Sequence, residues 1–133
     1  MPQNSKLMRF FVIALMALAM TGCPGGAVIS PSQQWEGMNF QIETRPPIVE
    51  PGMIEFLVLA NRDRRRAHDL VVNIRIGSTG RWVQAIQDGH VGVYRRAIRV
   101  NDPANDKLNV HVTWGDKETV LVFPLDFAQR ETK

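Results

Sequence analysis

Two stretches of strict alternation constrain the fold of this chain most. Leu70, Val72, Ile74 and Ile76 alternate with Val71, Asn73 and Arg75; Leu108, Val110, Val112 and Trp114 alternate with Asn109, His111 and Thr113. Successive side chains of an extended chain point to opposite faces, so a period of two buries one face and wets the other. Phe40, Ile42 and Thr44 repeat the pattern against Asn39, Gln41 and Glu43. Met53 to Ala60 and Thr119 to Phe123 are more continuously apolar, as expected of central strands or strands covered on both faces. Tyr94, Ile98 and Val100 face one way and Arg95, Ala97 and Arg99 the other, with Arg96 breaking the inward set. Arg81 to Ile86 reads as a shorter seventh strand.

The residues between these runs are those that turns require. Pro46-Pro47 and Pro51-Gly52 separate the first two strands, Asn61-Arg62-Asp63 begins a turn, and Gly77-Ser78-Thr79-Gly80 makes another. Gln87-Asp88-Gly89-His90, Asn101-Asp102-Pro103 and Gly115-Asp116 follow. Seven strands at this spacing predict an all-β fold: a single immunoglobulin-like antiparallel β-sandwich over residues 35–126, with residues 127–133 a disordered, charged tail. Phe40, Phe56, Phe123, Trp82 and Trp114 are expected to fill the space between two sheets, the Trp114 indole N–H needing a partner there.

The segment before the strands is of another kind. Lys6 and Arg9 precede an uninterrupted apolar run of eleven residues, Phe10 to Met20. At ~1.5 Å per residue that run is too short to cross a hydrocarbon core, which takes about 20 residues, but it has the length of a signal h-region. Residues 1–22 are therefore expected to be a signal peptide. Cys23, the single cysteine, follows Leu18-Ala19-Met20-Thr21-Gly22. Small residues followed by Cys resemble the bacterial lipobox, with Met20 standing where Leu is more usual. The resemblance implies acylation of the Cys23 thiol, an N-terminal lipid anchor and a place on the periplasmic face of a bacterial membrane. Pro24, where Asp would favour inner-membrane retention, points to the outer membrane. Residues 23–34 are rich in Pro, Gly, Ser and Gln and read as a flexible tether.

Cleavage changes the charge. The whole chain is +3; Lys6 and Arg9 leave with the signal and no acid does, so 14 cations face 13 acids, or +1. A nucleic-acid partner loses its compositional support. Catalytic motifs are missing too. The one thiol is committed to lipid, no Ser stands in an elbow motif, and Gly77-Ser78-Thr79-Gly80 lacks the lysine and helix of a phosphate loop, so the chain reads as a non-enzyme without a cofactor. Glu55, in an otherwise apolar strand, is expected at an edge or rim, paired with an Arg. His68, His90 and His111 show no ligand spacing; a site combining them with Met53 or Met38 would suit copper.

Arg62-Asp63-Arg64-Arg65-Arg66 is the densest charge cluster. At a hairpin end, Arg62, Arg64, Arg65 and Arg66 are candidates to grip a partner's carboxylates or anionic headgroups, with Arg95, Arg96 and Arg99 extending the patch if their strand folds alongside.

Three further pieces lie between Met38 and Leu125: Pro51-Gly52 opening a strand, Gly92-Val93-Tyr94-Arg95 after a polar turn, and a closing strand ending in Phe123-Pro124-Leu125. In this order they resemble the FixH/YtkA-like group of small exported β-sandwiches. That resemblance implies a sandwich and an association with respiratory oxidase assembly and copper handling. The chain departs from the group in its lipid anchor and in Asp106-Lys107-Leu108, which stands where a Gly-x-Trp is usual. The expectation is a lipid-anchored periplasmic domain that binds another protein as an accessory or assembly subunit of an envelope complex. The alternative is a copper-handling lipoprotein.

Overall fold

A computed structural model of the chain describes residues 28–89 and 91–129. The expected signal peptide, Cys23, His90 and residues 130–133 lie outside the described residues. The described chain forms two antiparallel sheets. One sheet has strand order β1-β2-β3-β8-β7: β1 (Gln33–Trp35), β2 (Met38–Arg45), β3 (Gly52–Arg62), β8 (Val93–Val100) and β7 (Ile86–Gln87), with the short β4 (Arg65–Arg66) paired to the end of β3. The other has order β10-β9-β5-β6: β10 (Lys117–Pro124), β9 (Lys107–Trp114), β5 (Val71–Ile76) and β6 (Val83–Gln84). With the two-residue β6 and β7 aside, β2-β3-β8 faces β10-β9-β5, the arrangement of an immunoglobulin-like sandwich.

Alternation places the core. Phe40 and Ile42 of β2, Ile54, Phe56 and Val58 of β3, and Tyr94 and Val100 of β8 meet Val72 and Ile74, Leu108, Val110 and Val112, and Leu121 and Phe123 from the other sheet. Two apolar runs have different origins. Met53 to Ala60 lies in β3, which is flanked by β2 and β8, so even its outward Leu57 is buried, in register between Glu43 and Arg95. Thr119 to Phe123 lies in β10, an edge strand and not a central one. Its Val120 and Val122 are exposed on the outer face, and the Gln33 side chain donates to the Val122 carbonyl at 2.6 Å.

The run 81–86 is not one strand. Val83 and Gln84 pair with β5, then the chain crosses at Ala85, whose N–H donates to Val72 O at 2.8 Å, and Ile86 and Gln87 pair with β8 in the opposite sheet. A buried alanine is small enough to pass between the sheets. Trp82 accordingly sits on the outer face: the Arg75 guanidinium lies 4.3 Å from its ring centroid, and the His111 ring 5.8 Å away.

The folded unit also begins and ends outside the expected limits of 35 and 126. From Val28 on, the expected tether is laid along β2. Ile29 bridges to Glu43, and Ser30 is buried, its Oγ accepting from Ile42 N–H at 2.8 Å. At the other end a single 3-10 turn, Asp126–Ala128, packs Ala128 into the core, and Ala128 O accepts from Val49 N–H at 2.8 Å. Short buried polar and small residues escape a reading that looks for apolar periodicity.

Tyr94 ties the sheets together. Its hydroxyl donates to Ala67 O at 2.9 Å and accepts from Leu70 N–H at 3.2 Å, mooring the segment that carries the chain from β4 to β5. Burial pushes its phenol above the usual range, while the Leu70 N–H works the other way.

Candidate functional site

Strand direction sorts the surface into two ends. Three tight turns, Glu36-Gly37, Asp63-Arg64 and Gly115-Asp116, cluster at one end. Glu36, Gly37, Asp63 and Arg64 have positive φ, as type I′ hairpins require, and Gly115 takes the first place of a II′ turn. The segment from Val28 joins β2 opposite Glu43 and runs toward the hairpin end, so the chain enters from the opposite side. That opposite end gathers the loops 46–51, 77–82 and 101–106.

The hairpin end carries the arginine cluster, and the structure divides it. Arg62 is the last inward residue of β3. Its guanidinium stacks 4.2 Å from the Trp114 ring centroid, its Nη2 donates to Met38 Sδ at 3.2 Å, and it lies 3.9 Å from Asp69. Asp69 also accepts the Trp114 indole N–H at 3.0 Å, the partner that this half-buried ring needed. Arg62 is thus a closing piece of the core and not a free contact. Arg66 is exposed but spends one donor on Val91 O at 3.1 Å. Arg64 and Arg65 are exposed, and no carboxylate among the described residues pairs with them. Beside them lies an open depression of about 560 Å³ lined by Arg62, Asp63, Arg65, Arg66, His68 and Asp69.

Arg95, Arg96 and Arg99 do not extend this patch. Strand β8 runs antiparallel to β3, pairing Val93 with Leu59 and Arg99 with Met53. Arg99 therefore lies nine residues of β3 from Arg62, roughly 30 Å at ~3.3 Å per residue. Arg95 is neutralised locally: its Nη1 lies 3.0 Å from Asp88 and its Nε donates to Glu55 at 2.7 Å. Those two carboxylates, Asp88 foremost, hold its guanidinium above the ordinary arginine range. Glu55 has the arginine partner expected of it, but on the outer face of a central strand and not at an edge.

The metal candidates are dispersed. His111 is on the outer face of β9, 3.1 Å from Glu118, whereas Met53 is on the outer face of β3. Those two faces are on opposite sides of a sandwich whose sheets alone are ~10 Å apart, so the pair cannot ligate one ion. Met38 is buried under Arg62. His68 lies in the loop before β5, its Nδ1 3.3 Å from Arg66 O. Among the described residues no three His, Cys, Asp or Glu side chains form a group able to hold a metal.

Arg96 and Arg99, expected to extend the hairpin patch, belong instead to a second basic region along β8, away from the Asp63-Arg64 hairpin. Both are exposed on β8, Arg99 lining the same groove as Arg81 of the 77–82 loop, and no carboxylate among the described residues pairs with any of the three. The signal was present: a charged residue at an inward position of an alternating strand, as Arg96 is, marks a stretch that the opposite sheet does not cover.

No helix among the described residues is long and apolar enough to cross a membrane. Comparison with protein-family models, with curated proteins and with solved structures finds no match to this chain.

Proposed function

We propose that this chain is a lipid-anchored domain on the periplasmic face of a bacterial membrane, probing for and binding another envelope protein as an accessory or assembly subunit. The lipobox-like run ending in Cys23 supports the anchor. One observation carries the binding reading: the chain enters the sandwich at the end opposite the Asp63-Arg64 hairpin, whose Arg64 and Arg65 are unpaired among the described residues. An anchor at the entry side directs these two guanidinium groups away from the bilayer that holds the chain. Planar guanidinium forks suit a partner's carboxylates, bidentate and charge-assisted. Tethering confines the domain to a thin layer and raises its effective concentration for a membrane-bound partner, so a modest contact suffices.

Two measurements test this. Mass spectrometry of the protein from its native membrane is expected to show acylated Cys23 as the first residue. A photo-crosslinking residue placed at position 65 of the full chain is expected to give a discrete protein adduct in cells. An unmodified thiol behind a retained leader removes the anchor; no adduct at position 65 removes the binding surface.

A further inference from the structure

We infer that the uncovered edge of β8, at Ala97 and Arg99, accepts an acidic extended segment of a partner protein as an added strand. This deepens the protein-binding reading above and rests on it.

Backbone parity shows which groups are open. Ala60 N–H donates to Gly92 O at 2.9 Å and Asp88 N–H to Val93 O at 2.8 Å, so even-numbered residues of this strand bond to β3 and odd-numbered ones face the β7 side. Strand β7 begins at Ile86, opposite Arg95. One residue earlier the chain has left for the other sheet at Ala85. The N–H and C=O groups of Ala97 and Arg99 therefore face an empty lane, and no hydrogen bond from the described residues reaches them. A strand in that lane would lie end to end with β7.

Space flanks the lane on both sides. An open groove of about 630 Å³ includes Ile86, Arg96 and Ala97 in its lining, and another of about 360 Å³ includes Ile98, Arg99 and Arg81. Main-chain pairing along such an edge supplies affinity, and the alternating side chains supply choice.

Charge selects the occupant. Arg96, Arg99 and Arg81 have no carboxylate partner among the described residues, while the nearby Asp102 and Asp106 are engaged inside their own loop, accepting from Asn105 Nδ2 at 2.8 Å and from Asp102 N–H at 3.0 Å. Arg96 and Arg99 project to opposite faces of the sheet, so an incoming strand meets both with acids three residues apart. A second copy of this chain does not fit. Two-fold pairing of β8 about Ala97 sets Arg95 opposite Arg99, where like charges directly opposite are destabilising, and pairing about Ile98 brings the copy's Asn101 to Arg95, where Ile86 of β7 already lies.

Arginines on an edge also serve to repel unwanted strands, and an edge that is only protected binds nothing. The test separates the two. The probe is the labelled peptide Thr-Val-Glu-Val-Thr-Glu-Val, with both Glu replaced by Lys as control, titrated into the full chain by fluorescence anisotropy. Expected are saturable binding at least tenfold tighter than the control and at least tenfold slower exchange of the Ala97 and Arg99 amides, read by NMR. Ala97→Pro removes a donor facing the lane and leaves the β3 ladder intact; it is expected to weaken binding at least tenfold. Should Ala97→Pro fail to fold, Arg96→Glu with Arg99→Glu carries the test, being expected to reverse the preference toward the Lys peptide. Equal binding of the two peptides, no binding at millimolar concentration, or unchanged exchange at Ala97 and Arg99 overturns the inference. If that happens while the position-65 adduct persists, the edge fails and the protein-binding reading stands. Loss of that adduct with the peptide results intact removes the Arg64-Arg65 surface and leaves the edge as the binding site.

Discussion

Removing one oxygen atom, by Tyr94→Phe, tests whether the sheets are joined as described. Tyr94 is 1% exposed, and its hydroxyl serves two main-chain groups, Ala67 O and Leu70 N–H. Phenylalanine keeps the ring packing and leaves both groups without that partner. A buried unpaired donor or acceptor costs about 1–3 kcal/mol, the carbonyl less because it has a second lone pair. The sum is about 2–4 kcal/mol, a large share of the stability of a domain this size. Urea unfolding followed by tryptophan fluorescence measures it. A midpoint shift worth less than ~0.5 kcal/mol at unchanged slope would refute the argument, since the two bonds would then contribute nothing beyond what water supplies. Because Asp69 lies inside the moored segment and holds the Trp114 indole, the variant is also expected to change the folded-state emission. The pH dependence has a definite sign. Burial raises the phenol above its ordinary value of 10.0 in the folded state, so Tyr94's contribution is complete below pH 10 and is lost as pH climbs through the raised value. Tyr94→Phe is expected to flatten that alkaline limb.

Other substitutions separate the roles within the basic clusters and the core. Arg62→Ala is expected to cost about 1–2 kcal/mol in urea unfolding through the lost stack on Trp114 and the Asp69 pair, whereas Arg64→Ser with Arg65→Ser should stay within about 0.5 kcal/mol. Gly92→Ala places a Cβ 2.6 Å from Ala60 O at φ +67° and is expected to lose about 2–4 kcal/mol; Gly37→Asn, with open space around the site, should cost under about 1 kcal/mol. Phe56→Ala, at a fully buried site of the central strand, is expected to cost about 3–5 kcal/mol by the same measurement.

Much of the fold is written in local pattern. The alternation at 70–76 and 108–114 gave strands β5 and β9, and their apolar sets do face the other sheet, because side-chain direction in an extended chain depends only on parity. The hairpin turns were legible less well: the strand β3 runs on to Arg62, and the turn falls at Asp63-Arg64, since an arginine able to stack on Trp114 remains in the ladder. Trp82 and Trp114, both read in the sequence as strand residues that fill the core, have different surroundings because Trp82 precedes the segment that changes sheets at Ala85, whereas Trp114 ends β9.

The candidate sites were legible as charge and not as geometry. A run of arginines at 62–66 is visible to any reader, but whether a given guanidinium is free depends on which ring or carboxylate a distant strand delivers. Trp114 and Asp69 take Arg62, Asp88 and Glu55 take Arg95, and nothing among the described residues takes Arg64, Arg65, Arg96 or Arg99. Parity and turn chemistry act within a few residues, so they survive in the order of amino acids. Partner choice reaches across 40 or more positions for Glu55 with Arg95 and Asp69 with Trp114, and even Arg62 with Asp69 or Arg95 with Asp88, seven positions apart, meet only once the fold has turned the chain back on itself.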